Sequence, residues 1–411
     1  MDFELSDVQR KRYDEIVATA GERFADRREG HLNRDAERHD DLPTRVAGRS
    51  GGHLTRVASA SDDHPTRDDW RTAADMRLTG LCLPVEYGGL GLGALDTALC
   101  LEAFGRGCAD TGLVFAVAAH LLACAVPIRD FAAEPVRGEL LSGLADGALI
   151  AANAMTEDDA GSDVGSLAAT AGRRGDEYIM DGVKSFASNA PVANLFVTYA
   201  VTDPKASFLG VTAFAVPADR AGIDVSGPLA KMGLHGCPAG RVRFAGCAVP
   251  VEFRIGAEGQ GSAVFQHSMN WERACLPAIY VGVMSEQLRR CVAHAGQRRQ
   301  FGRRIGDNQA ISHLLAIMAQ RLAAARLLLY RACWLLDQDD PEHRSAAAMS
   351  KISVSEAAVA NGLDAIQVFG GAGYLTETGI ESGLRDAVPS MIFSGTTQIQ
   401  REIVVRELGL G

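Results

Sequence analysis

The segment Asn153-Ala-Met-Thr-Glu-Asp-Asp-Ala-Gly-Ser-Asp163 separates two textures of sequence, and the fold class is read from what lies on either side of it. Upstream, residues 98–104, 114–126 and 136–144 are rich in Ala and Leu, with Gly and Pro at the breaks, which predicts helices. Downstream, 178–180, 195–201, 211–216 and 241–244 are short β-prone runs. Asp203-Pro204, Ala221-Gly222 and Gly227-Pro228 mark turns between them, a spacing that suits a small antiparallel β-domain. From about Ser262 helical periodicity returns. Ile311, Leu314, Leu315, Met318, Leu322, Ala325 and Leu329 fall at steps of three and four, predicting one long buried stripe. A second helix, over about 345–367, carries Ala348, Ile352, Ala358 and Leu363 on its face.

Helices, then sheet, then helices predict an α+β protein of three units: a helical domain over 1–150, a β-domain over 151–258 and a helical bundle over 259–411. The 411 residues, 47% of them hydrophobic, suffice for a large core. No apolar run approaches the roughly 20 residues of a bilayer span, so no membrane is expected. Nine scattered cysteines lack any metal-ligand spacing and read as small buried apolar residues of a reducing cytoplasm. The start Met1-Asp-Phe-Glu-Leu-Ser-Asp7 has no signal-peptide pattern, and the net charge of −10 argues against nucleic acid. Residues 27–67, crowded with Arg, Asp and His, predict a mobile, solvated insertion. Pro84-Val-Glu-Tyr-Gly-Gly-Leu-Gly-Leu-Gly93 lacks the Lys-Ser/Thr ending of a phosphate loop and reads as a turn between helices.

The segment 153–163 offers backbone N–H groups, Thr156 and Ser162 to a polar ligand, while Glu157 and Asp158 suit bracing of the loop. Arg298-Arg-Gln-Phe-Gly302 presents in Arg298 a planar, permanently charged donor fit for a pyrophosphate. Together with Lys184-Ser-Phe-Ala-Ser-Asn189, Gln367-Val-Phe-Gly-Gly-Ala-Gly-Tyr374 and Ile392-Phe-Ser-Gly-Thr-Thr-Gln-Ile-Gln400, these segments resemble the motifs of flavin-dependent acyl-CoA dehydrogenases, in order along nearly the whole chain. The resemblance implies that family's fold, with a C-terminal four-helix bundle, bound FAD and a homotetramer. It implies that Met155, Thr156 and Ser162 contact flavin and thioester, that Phe186 covers the flavin ring and that Ser188 bonds near its N5. Arg298, Phe301 and Gln309 are implied to reach a neighbouring subunit's FAD. Gln367, Gly370 and Gly371 are implied to approach its diphosphate and adenosine, and Thr396 and Gln398 to lie by the flavin.

Most relatives carry the catalytic glutamate where this chain has Ser394, which is left with only a backbone N–H to offer the thioester oxygen. A minority keep the base at a helix start immediately before an arginine. Glu272 and Arg273 fit that position, which implies Glu272 as base and Arg273 beside the substrate. A narrower resemblance covers residues 93–96, 120–124, 268–272, 329–334 and 392–396. It points to the prolyl-carrier-protein dehydrogenases of pyrrole-forming pathways, and implies oxidation of L-prolyl to pyrrole-2-carboxyl on a peptidyl carrier protein. The implied oxidant is an electron-transfer flavoprotein or dioxygen. An ordinary acyl-CoA dehydrogenase, a flavin cyclase or monooxygenase, and a non-catalytic flavin-binding protein are the alternatives.

Overall fold

The computed structural model describes residues 4–25 and 67–410; all of the 27–67 segment except Arg67 lies outside them. The N-terminal unit is helical: α1 (Asp7–Arg23), α2 (Arg67–Asp75), α3 (Ala94–Gly107), α4 (Thr111–Ala119), a π-helical turn (His120–Ala125), α5 (Val126–Phe131) and α6 (Val136–Ala145). Helix α1 opens with a capping box, in which Ser6 and Gln9 satisfy each other's backbone N–H. Residues 111–118 of α4 are all buried, so it is apolar on every side and forms the centre of its unit. Thr111–Phe131 and Gln309–Asp337 are in fact long and apolar enough to cross a membrane, contrary to the sequence expectation. In the first, 94% of the apolar 18-residue stretch is buried inside the fold, because other helices and the sheet surround it.

The β-unit holds an eight-stranded sheet. Its strands are β1 (Ala151–Ala154), β2 (Thr170–Arg174), β3 (Glu177–Ser188), β4 (Leu195–Val201), β5 (Val211–Pro217), β6 (Ile223–Val225), β7 (Ala239–Pro250) and β8 (Arg254–Ile255). The order is β6-β7-β3-β2-β4-β5-β8, with β1 also paired to β4. The expectation of an antiparallel sheet fails at two pairings, since β1 and β2 both run parallel to β4. The chain enters on β1, makes the β2–β3 hairpin and only then lays β4 beside its entry strand, a connection long enough to allow the parallel direction. On β4, Leu195, Val197 and Tyr199 join the helical core, while Phe196 and Ala200 face a second core with Tyr178, Phe214 and Phe244. Burial on both faces explains why β4 reads as one continuous apolar run.

The C-terminal bundle consists of α7 (Gly261–Cys275), α8 (Ala278–Gln297), α9 (Gln309–Asp337) and α10 (His343–Phe369), with α11 (Ile380–Ala387) and α12 (Thr397–Glu407) packed on it. The predicted α9 stripe is fully buried only from Met318 onward; Ile311, Leu314 and Leu315 are half-buried near the helix start. On α10 the inner face is Ala346, Ala347, Val354, Ala358 and Ala365, whereas Leu363 is exposed. Glycine permits the closest helix contact: a Cβ on Gly105 of α3 or Gly282 of α8 would stand 2.3 or 2.1 Å from a carbonyl oxygen of the other helix. All nine cysteines are free and buried.

The units are stitched by polar groups. Helix α3 has no cap of its own, and Asp337 at the end of α9 accepts from Ala94 N and Leu95 N at 2.5 and 2.9 Å. Buried Glu102 accepts from Tyr13, Arg326 and Tyr330, joining α1, α3 and α9.

Candidate active site

Between the sheet and the bundle lies a cleft of about 930 Å³, lined by Asn153, Met155, Thr156 and Ser162 on one side and by Glu272, Arg273 and Ser394 on the other. Glu272 and Arg273 lie in the last turn of α7 rather than at a helix start as expected, because the helix already begins at Gly261. Glu272 turns inward since Val264, Ser268 and Glu272 recur every four residues on the buried face. The opposite side is anchored by Arg129, whose guanidinium lies 4.5 Å from the Trp271 ring centroid, and by His267, 2.7 Å from Asp130.

Glu272 Oε1 accepts a hydrogen bond from the Ser394 hydroxyl, and Oε2 is buried with no partner among the described residues. Burial pushes this carboxyl above the ordinary carboxylate range; the Ser394 hydrogen bond and the charges of Arg273 and Lys351 oppose the shift without cancelling it. A carboxylate with a desolvated, unengaged oxygen on a cleft wall is equipped to take a proton from a weak carbon acid. Sequence gave Ser394 only a backbone role; the structure adds its hydroxyl. Arg273 also lines the cleft, and its Nε is committed to the Ser394 carbonyl at 3.0 Å.

The loop after β1 is braced as expected. Lys184 Nζ sits 2.7 Å from Glu157, which also accepts from Ala168 N and Ala169 N. Burial works against the Glu157 charge, but Lys184 and the two amides outweigh it and hold the carboxyl below its ordinary range. Asp158 accepts from Ser185 at 2.7 Å and from Arg241 at 2.5 Å.

Comparison with known proteins follows the same three units. The acyl-CoA dehydrogenase N-terminal, middle and C-terminal domain families match residues 51–148, 152–247 and 259–409. An L-prolyl-[peptidyl-carrier protein] dehydrogenase of Pseudomonas fluorescens is 52% identical over 342 residues, 83% of this chain and 90% of that one. The chain belongs to the acyl-CoA dehydrogenase family. A second L-prolyl-[peptidyl-carrier protein] dehydrogenase, from a Serratia species, is 44% identical over 83% of this chain and 88% of its own. The structure of PigA with FAD and proline superposes with a TM-score of 0.90 at 39% identity, covering 100% of both chains.

Within this acyl-CoA dehydrogenase fold the other motif residues form separate groups. Phe186 leaves the strand ladder: the β3–β7 register shifts between Lys184 and Ala187, and Phe186 takes φ 57° and is 61% exposed. Ser188 follows, half-buried. Arg298, Phe301, Gln309, Gln367, Gly370 and Gly371 are exposed and do not line the Glu272 cleft. His294 stacks on Phe369 with centroids 4.2 Å apart, which brings the α8 end bearing Arg298 to the α10 end bearing Gln367 and Gly370. Phe301, 98% exposed, tips a hairpin formed by Arg299–Gln300 and Arg303–Arg304. Thr396 caps α12 by accepting from Ile399 N at 3.3 Å, and Gln398 is exposed; neither lines the cleft. Sequence reasoning missed Lys351 and Gln400, whose amino and amide groups hold the Ser394–Gly395 turn.

Proposed function

We propose that this protein is an FAD-dependent dehydrogenase of an aminoacyl thioester carried by a peptidyl carrier protein, converting L-prolyl to pyrrole-2-carboxyl. The observation that carries the reading is the buried Glu272 carboxylate on the cleft wall, hydrogen-bonded to the residue that replaces the family's usual glutamate.

The residues present fit a flavin. The buried Asn153 Oδ1 on the cleft wall has no partner among the described residues, and Phe186 presents an exposed aromatic face beside Ser188. Met155, Thr156 and Ser162 would hold the ring region from the cleft, with Arg298, Gln309 and Gln367 holding the diphosphate end of a cofactor shared between subunits. Bound FAD supplies the acceptor for the hydride leaving substrate Cβ. Glu272 takes the Cα proton, and the Ser394 N–H, which has no acceptor among the described residues, donates to the thioester oxygen as negative charge builds there. Reaching pyrrole from proline takes two two-electron oxidations. The first leaves no hydrogen on Cα, so the second draws its proton and hydride from the ring carbons beyond Cβ, and Glu272 must release its proton between them.

Ile317 and Leu327 on the outer face of α9 are 42% and 49% exposed, and with the Phe301 arm they favour assembly with further copies, here proposed as a homotetramer. The free cysteines favour a reducing, cytoplasmic setting. Electrons then pass to an electron-transferring flavoprotein or to dioxygen, which reoxidation in air against reoxidation by that partner distinguishes. The deciding experiment is mass spectrometry of a prolyl-loaded carrier protein after incubation with the enzyme. Loss of four hydrogens supports the reading, and an unchanged mass alongside turnover of an acyl-CoA refutes it.

A further inference from the structure

Lys351 has no part in the scheme above, yet it is only 2% exposed on the inner face of α10. Its Nζ donates to the Gly395 carbonyl at 2.7 Å and lies 5.9 Å from the centroid of the Phe393 ring. The adjacent Ser394 carbonyl accepts Arg273 Nε at 3.0 Å, and Gln400 Nε2 donates to both carbonyls at 3.1 and 3.0 Å. Three helices, α7, α10 and α12, therefore grip two consecutive carbonyls. The gripped turn is unusual: Ser394 has φ 55° and Gly395 φ 90°, a left-handed pair in which a serine is uncommon. A small void of about 10 Å³ is lined by Glu272, Lys351, Tyr280, Ser355, Phe393 and Ser394, so Lys351 and Glu272 border one space.

We propose that Lys351 is a positioning residue for the oxidation: its ammonium fixes the Ser394–Gly395 turn and supplies a positive charge facing the buried Glu272 carboxylate. The inference rests on Glu272 being the base. The groups around that carboxylate are Arg273 on its own helix, Lys351 on α10, Ser394 in the closing turn, Cys124 in the π-helical turn and Tyr199 on β4. Burial pushes the Cys124 thiol and the Tyr199 phenol up, so both are neutral at pH 7. Positive charge comes only from Arg273 and Lys351 among these groups. Burial pulls the Lys351 amine down to about 8, Arg273 adds to the fall and Glu272 resists it. Lys351 is thus largely cationic at neutral pH. Losing that charge makes Glu272 harder to ionise, so the base form appears at higher pH.

The test compares Lys351→Met, Lys351→Gln and Lys351→Arg in the FAD-loaded protein by two readouts. The first is an infrared titration of the Glu272 carboxyl without substrate, its band assigned by disappearance in Glu272→Gln. The second is the pH dependence of anaerobic flavin bleaching by prolyl carrier protein. In the Met and Gln variants both midpoints move up by about one pH unit, and bleaching on the rising limb drops about tenfold. The Gln variant, which retains a donor for Gly395, keeps more of the high-pH rate, and Arg returns the midpoint to that of the parent. Unmoved midpoints in Met and Gln, or an Arg variant displaced as far as Met, overturn the proposal. If the parent is not bleached by the prolyl thioester, the substrate assignment fails by itself, and the substrate-free infrared titration still decides the role of Lys351.

Discussion

Glu272 combines two properties that seldom coexist in a side chain kept only for stability: it is buried, and one of its oxygens has no partner among the described residues. Its carboxyl is raised above the unfolded value, so the folded protein gives up stability as pH rises from the unfolded value through the folded one and keeps it below. Glu272→Gln is therefore expected to retain FAD, to abolish anaerobic flavin reduction and to melt higher than the parent at pH 8, with the gap narrowing toward pH 5. Thermal melts at the two pH values check this; a gap that grows on acidification contradicts the sign. Ser394→Ala removes the hydroxyl that donates to Glu272 and keeps the backbone N–H. Its bleaching rate should fall about threefold to tenfold at pH 7 and recover at higher pH, about the worth of one ordinary hydrogen bond. A pH-independent loss would mean that the hydroxyl acts on the substrate instead. The proposed base was readable as a candidate because Glu272-Arg273 and Ser394 in the closing motif make sense together. Lys351 was not, because its partner carbonyl lies 44 residues away and nothing local marks a buried lysine.

Elements with a clear period were readable in advance, and those defined by their neighbours were not. The runs 195–201 and 211–216 became β4 and β5 almost residue for residue, because alternate side chains fill two apolar cores. Strand β1, Ala-Ala-Asn-Ala, has no β-prone composition and exists through its parallel ladder with β4. The π-helical turn was equally silent, although it carries the residue that ties helix to sheet. His120, wholly buried, takes the Ala151 N–H on Nδ1 at 3.1 Å and has Nε2 3.3 Å from the Leu144 carbonyl, an arrangement that needs the neutral ring. Burial lowers it to about 4 from 6.5. A depressed histidine contributes stability that is intact above the unfolded value and is lost as pH falls through the folded one. Protonation should accordingly remove roughly 3 kcal/mol between pH 6.5 and 4. In His120→Gln, whose amide can accept and donate in the same places, that acid-dependent share should vanish in urea titrations. Parallel stability-versus-pH curves for the two proteins would show that His120 does not govern the acid response.

Across the whole molecule, the cleft depends on how the helical unit, the sheet and the bundle are held, and the holding groups are polar. Arg298, exposed at the α8 end beside Gln367 and Gly370, contributes to assembly and cofactor retention under the proposed function. Arg298→Ala should purify with a reduced flavin-to-protein ratio while its helix content is unchanged, and full loading would remove it from the cofactor site. Glu102 is the sharper case. Sequence placed it inside an apolar helix without hint of its partners, since the groups it binds lie 89 residues upstream and more than 220 downstream. It is 1% exposed and accepts from Tyr13 at 3.2 Å, Arg326 at 2.9 Å and Tyr330 at 2.8 Å. Replacing it by Leu keeps the volume but strands a guanidinium and two phenols at the seam between the N-terminal helices and the bundle. Breaking a buried pair in this way costs about 3–5 kcal/mol, and the partial exposure of Arg326 places this case near the lower end, about 3 kcal/mol. Urea unfolding of the FAD-loaded protein should show that loss, and Glu102→Leu combined with Arg326→Leu should regain part of it. A single variant within about 0.5 kcal/mol of the parent, the range of an ordinary surface change, would mean that the seam is held by apolar packing alone.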